Sequence, residues 1–145
     1  TCTYLDFIFI FNMSVCLLYN ITGEQQYLNE AQQIARSAHS KWFTLYDSKE
    51  LGEKFYRING DHAWFYSVLF RGFLELYKID GRRDYVTAFE KSMLQAWMSE
   101  CRNQTTNLLS NNYFIGKTNS SWQVLHEGAF VEMLARLAVL ELEGK

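Results

Sequence analysis

Five side chains have the type and placement to meet a ligand: Tyr4, Asp6, Asp61, His62 and Trp122. Asp6 and Asp61 each stand where a helix is expected to begin. There a carboxylate either caps free backbone N–H groups or accepts hydrogen bonds from a ligand. His62 follows Asp61 within the first helical turn. Trp122 borders a long polar loop and is the better stacking platform; Trp64 and Trp97 are expected in the core. Carboxylates, a phenol and an indole together suit a ligand rich in hydroxyls. His126 and Glu127, one turn into the last helix, are expected on a solvated face.

Other chemistries lack their residues. His39, His62 and His126 are isolated, and Cys2, Cys16 and Cys101 have no metal-ligand spacing. No glycine-rich phosphate loop or nucleophile elbow occurs, so no cofactor is expected. The net charge of −2 gives no reason to expect nucleic acid or an anionic membrane as partner. An odd number of cysteines argues against a complete disulfide framework, and buried thiols are expected. The apolar run from Phe7 to Tyr19 is shorter than a membrane span and contains Asn12 and Ser14. The segment at Thr1–Tyr4 has no basic region of the kind that opens a signal peptide. Asn12, Asn20, Asn103 and Asn119 each open an Asn-x-Ser/Thr triplet, and Asn12 is expected to be buried.

The elements that would position these residues are helical. Leu18-Tyr19-Asn20-Ile21-Thr22-Gly23 and Leu76-Tyr77-Lys78-Ile79-Asp80-Gly81 repeat one pattern at a spacing of 58 residues. Each ends at a glycine, where a helix stops in a left-handed turn, and each is followed by a Tyr (Tyr27, Tyr85) one turn into the next helix. Apolar periodicity predicts helices over residues 5–20, 25–43, 62–79, 82–102 and 122–142, the third opened by Asp61 and the last capped by Ser120 or Ser121. Residues 46–60 and 103–120 read as long connections. Short glycine turns alternating with long loops fit an α/α toroid, whose loops gather at one end and carry the ligand site there. An aromatic share of 17% suits either stacking surfaces, sugar rings being one candidate, or wide gaps filled between helices.

Taken together, these segments resemble glycoside hydrolase family 76, the α-1,6-mannanase family. The resemblance rests on residues 18–23 with Tyr27-Leu28-Asn29-Glu30-Ala31, on Trp64-Phe65-Tyr66-Ser67-Val68-Leu69-Phe70-Arg71-Gly72-Phe73-Leu74-Glu75-Leu76-Tyr77, and on Phe130-Val131-Glu132-Met133-Leu134-Ala135-Arg136-Leu137-Ala138. It covers nearly the whole chain but only the C-terminal part of that family's domain. It implies an (α/α)6 toroid and hydrolysis of α-1,6-linked mannose chains with retention, by one nucleophilic Asp and one acid. It also implies a location outside the cytoplasm: secreted, periplasmic or at the cell surface. The family's neighbouring Asp-Asp pair lies on an earlier hairpin, and this chain contains no Asp-Asp at all. Where the family carries Tyr-Asn-x-Gly the chain has Tyr4-Leu5-Asp6-Phe7. By the resemblance, Asp61 in the Gly-Asp turn would hydrogen-bond a sugar hydroxyl.

The expectation is therefore a single all-α domain over residues 1–145, an incomplete ring of about five helices. It would contribute the wall of a mannan-binding cleft rather than the catalytic pair. A non-catalytic carbohydrate-binding or assembly module is the alternative, as is another toroid hydrolase with Asp61 as a single catalytic acid. Five helices cannot close a ring of twelve, so a homodimer, or pairing with a separate N-terminal part, is expected through exposed apolar surface.

Overall fold

The computed structural model describes residues 3–60, 62–118 and 120–144, with side chains described from Phe11 onward. Its elements are α1 (Thr3–Thr22), α2 (Gln25–Trp42), β1 (Phe43–Ser48), β2 (Glu53–Ile58), α3 (Ala63–Asp80), α4 (Asp84–Met98), a short 3-10 turn (Tyr113–Ile115) and α5 (Val124–Glu143). The five helices are those that periodicity predicts, with ends displaced by a few residues. α4 stops at Met98 rather than near Arg102, because Ser99 turns extended and its hydroxyl binds the Ala96 carbonyl at 2.8 Å. Gln123 precedes α5 without a side-chain cap, so neither Ser120 nor Ser121 caps it.

The repeated glycine turns are alike in geometry. Gly23 and Gly81 have φ of 69° and 72°, and each donates its N–H to a tyrosine carbonyl, Tyr19 and Tyr77, at 2.8 Å. The residue before each glycine also closes its turn. Thr22 accepts from the Glu24 N–H at 3.2 Å, and Asp80 from the Arg82 N–H at 3.0 Å. These side chains stabilise the chain reversal locally, so each helix pair returns on itself within three residues.

The connection after α2 departs from the expected loop. It is an antiparallel hairpin pairing Phe43 with Ile58 through Ser48 with Glu53. Aromatic and β-branched residues favour the pleat. The turn closes when Gly52, at φ 67°, donates to the Ser48 carbonyl at 2.9 Å. The hairpin lies over α4: Ser92 Oγ accepts from the Ile58 N–H at 3.1 Å, and Ser48 Oγ bonds the Gln95 side chain.

α3 is the hub, packed against α1 on one side and α5 on the other. Both neighbours run parallel to it. Asn12 of α1 meets Gly72 of α3, and further along Cys16 lies near Glu75 and Asp80. Arg71 and Glu132 meet across α3 and α5, and Leu74 and Lys78 share a groove with Ala135 and Val139. Parallel helices place their N-termini at one end, so the chain enters α3 and α5 at the same end. The glycine turns lie at the other. The expected gathering of long connections at one end is what this packing produces.

The core is aromatic where α2, α3, α4 and the hairpin meet. Phe89 has Phe70 at 4.9 Å and Phe43 at 5.3 Å, and Phe73 has Tyr85 at 4.8 Å between ring centroids. Most of the phenylalanine content is thus gap-filling. Trp64 and Trp97, expected in the core, pack at its margin, with Trp97 beside Phe130 and the Arg102 guanidinium. Cys16 and Cys101 are free and buried. Burial, reinforced by Glu75 and Asp80, pushes the Cys16 thiol up to about 12.

One contact ties three helices together. Asn12 is fully buried and donates its Nδ2–H to the Ala31 carbonyl of α2 at 3.0 Å. Its side chain also lies against Gly72, where a Cβ would stand 2.6 Å from Asn12 Oδ1. Gly72→Ala is expected to lower stability by about 1–2 kcal/mol, since overpacking costs more than the helix propensity that alanine returns. A urea unfolding midpoint checks this, and an unchanged or raised midpoint contradicts it.

Candidate functional site

The helix-entry end of the α1, α3 and α5 layer is the candidate site. His62 precedes α3 as its N-cap residue, exposed, with its ring edge-on to Phe65 at 5.8 Å. Trp122 lies two residues ahead of α5 and is 44% exposed, open to stack on a flat ligand. Because α3 and α5 are parallel neighbours, these two residues stand at the same end. Tyr4 and Asp6 fall in the first turns of α1, and their side chains lie outside the described ones. Asp61 lies outside the described residues.

Behind His62 and Trp122 the loop is held down by polar bonds. Asn111 donates to Ser121 Oγ at 2.8 Å, and its N–H donates to the Ser121 carbonyl at 3.2 Å, pinching the loop shut. The His126 ring is buried, and its Nδ1 lies 3.0 Å from the Asn111 carbonyl. A carbonyl only accepts, so Nδ1 carries the proton. The buried Tyr113 hydroxyl donates to the His126 carbonyl at 3.2 Å, and burial raises its pKa far above the ordinary range. Glu127 accepts the Leu109 N–H at 2.9 Å. His126 and Glu127 are therefore not on a solvated face: they anchor residues 109–113 onto the start of α5. An acid in a first helical turn is a readable sign of a bond to backbone N–H groups. Its partner here is 18 residues away, across a loop whose path no local pattern predicts.

Below this end, Arg71 spans from α3 to α5. Its Nε and Nη2 donate to the two Glu132 oxygens at 2.7 and 2.8 Å, and Arg136 donates to the same carboxylate at 2.8 Å. The Arg71 bond chiefly holds the Glu132 carboxyl below the usual carboxylate range. A two-pronged bridge of this kind fixes the parallel register of the two helices.

The chemistry available is hydroxyl binding and ring stacking. Retaining glycoside hydrolysis needs two carboxylates roughly 5 Å apart. At this end Glu127 is the carboxylate of α5's first turn, and it is bonded to backbone. No cluster of three or more metal-ligating side chains occurs among the described residues. The burial of Glu127 can be tested through its titration. Burial dominates there and raises its carboxyl above the usual range, against the Leu109 N–H and His126. A raised folded value means the protonated form stabilises the fold below the ordinary carboxylate pKa, and this stability is lost as pH rises through the raised value. Glu127→Gln should therefore gain Tm relative to the wild type between pH 4 and pH 7 (about the carboxylate window). Thermal melts at the two pH values check it, and an equal difference at both contradicts it.

Comparison with known proteins agrees with this architecture. The sequence pattern of glycosyl hydrolase family 76 matches residues 9–144. Among solved structures, a glycoside hydrolase family 76 mannosidase from Bacteroides thetaiotaomicron is similar at 51% identity with a TM-score of 0.86, over 92% of this chain and 36% of its own. A family 76 glycoside hydrolase from a bovine strain of Bacteroides thetaiotaomicron is similar at 37% identity with a TM-score of 0.85, over 90% of this chain and 28% of its own. No curated protein matches the chain. The chain thus spans about a third of the length of these relatives. With most of its length matched and its helices superimposed, the chain belongs to glycosyl hydrolase family 76.

Proposed function

We propose that this chain forms one wall of the glycan cleft of a family 76 hydrolase acting on α-1,6-linked mannose chains, and that it lacks the catalytic carboxylate pair. The observation that carries the reading is the helix-entry end of α3 and α5. It presents His62 and Trp122 to a ligand, while its α5 carboxylate, Glu127, is bonded to backbone. The absence of any Asp-Asp in the sequence and the mannosidase named among its relatives point the same way. Tyr4, Asp6 and Asp61 complete the proposed substrate contacts through hydroxyl hydrogen bonds. Such a glycan would be met outside the cytoplasm. Among the described residues no helix is long and apolar enough to cross a membrane.

Proton NMR of α-1,6-mannotetraose mixed with the chain tests this. Line broadening without new reducing-end signals is the expected result. New reducing ends would mean that an acid and a nucleophile exist here, with Asp6 and Asp61 first in line, and would overturn the wall reading. Unchanged spectra would remove the substrate assignment.

An assembly role is favoured by a separate observation. The outer sides of α1 and α5 expose Ile21 at 81%, Val131 at 64% and Leu142 at 71%. Apolar helix faces of this extent seek cover in water, and in a ring they would be the seams between hairpins. Self-association of the chain is therefore expected. Light scattering at micromolar concentration should give at least a dimer mass, and a monodisperse monomer contradicts the expectation.

A further inference from the structure

We propose that Asn59–Gly60 is a site of self-modification, at which the Asn59 side-chain amide is lost as ammonia through a cyclic imide and a carboxylate is left just ahead of Asp61 and His62.

The chemistry needs only water. The Gly60 backbone nitrogen attacks Asn59 Cγ. A new C–N bond forms, the bond from Cγ to the side-chain nitrogen breaks, and ammonia leaves with the Gly60 amide proton. Water then opens the imide at either of its carbonyls. One opening gives aspartate; the other gives isoaspartate, in which the main chain runs through the former side-chain carbon. Water is consumed, ammonia is released, and nothing is oxidised or reduced.

The structure leaves this pair open to that reaction. Asn59 is exposed and lies just past the hairpin ladder, whose last pair is Phe43 with Ile58. The Asn59 N–H donates to the Trp42 carbonyl at 2.7 Å, which anchors the residue on its N-terminal side only. Gly60 lies ahead of α3, which begins at Ala63, and its N–H has no backbone partner among the described residues. Glycine places no side chain over the attacking nitrogen and gives the backbone the torsional freedom that ring closure uses. Every other asparagine is followed by a larger residue. Asn12 is also buried and bonded to the Ala31 carbonyl, Asn20 and Asn29 lie within helices, and Asn103 Oδ1 accepts the Thr105 and Thr106 N–H groups.

Packing also fixes the glycine. A Cβ on Gly60 would stand 1.9 Å from the Tyr66 hydroxyl oxygen and 2.8 Å from Cζ of that ring. Tyr66 is buried, with its ring edge-on to Phe114 at 6.0 Å, so it has little room to yield. The susceptible pair is therefore built in by the contact that seats the start of α3. Its product is a carboxylate ionised at neutral pH, which adds negative charge beside Asp61. The isoaspartyl form also lengthens the main chain between the hairpin and α3, where Gly60 already fits closely on Tyr66.

The test ages the intact chain at mildly alkaline pH and physiological temperature, then digests it with trypsin. Asn59 is read in one peptide, Ile58–Arg71, by the mass gain of an amide-to-acid exchange, and isoaspartate by methyltransferase labelling. Asn59 should convert at least about tenfold faster than any other asparagine of the chain, a barrier difference of about 1.4 kcal/mol. Its rate in the folded chain should lie within about tenfold of that in a synthetic peptide of residues 58–71, by the same measure. Asn59→Gln, whose longer side chain closes a ring far more slowly, should remove the acidic species that ageing produces on anion exchange. Asn59→Asp should elute with that species from the outset. An intact Asn59 in the folded chain while the free peptide converts overturns the proposal, because the fold then protects the pair. Equal conversion at another asparagine overturns it, as does an acidic species that persists in Asn59→Gln.

Discussion

Asn12 is the contact on which the helix layer depends. It is a polar side chain at a position with no access to water, so it must find its bonds inside the protein. It finds one on the Ala31 carbonyl, which ties α1 to α2, and it fits against α3 because residue 72 has no side chain. The small residues of α2, Ala31, Ala35 and Ala38, are fully packed for the same reason: the helices approach closely where side chains are short. Once α1, α2 and α3 are locked at this crossing, the directions of the later helices follow from two near-identical glycine turns and one hairpin.

The parallel pairing of α3 with α5 then decides which connections share an end. Helices joined by a single tight turn run antiparallel, and a third helix returns parallel to the first. The Arg71–Glu132 bridge holds that return in register, so the starts of α3 and α5 stand side by side. His62 and Trp122, distant in sequence, are thereby brought to the same end of the helix layer. That end is built by topology rather than by any local motif.

The loop at that end is held by bonds rather than by apolar contact alone. Asn111, Tyr113, His126 and Glu127 tie residues 109–113 to the start of α5 through backbone groups. Side chains bonded in this way are committed to holding the loop in place. The hairpin instead lies along α4, from the groove that Phe55 shares with Asp84 and Thr87 to the Ser48–Gln95 bond. It covers α4 with Ile58 and Phe55 and carries Arg57 out beside the loop.

Much of this was legible in the residues themselves. The helices, the left-handed turns at Gly23 and Gly81, the buried Asn12 and the family pattern are local or near-local properties, determined by apolar period, glycine geometry and motif order. The hairpin was not legible, because the segment from Tyr46 to Gly60 interleaves charged residues with aromatic ones and reads as a mixed connection until α4 supplies a surface for it. The anchoring of His126 and Glu127 was equally hidden, since a polar residue early in a helix looks solvated unless the loop above it is known. The sequence by itself determined which segments become helices, where they reverse and which family they belong to. Only the tertiary structure decided which polar groups are consumed in holding the loops and which remain free, because that depends on contacts between residues far apart in the chain, and no local pattern encodes them.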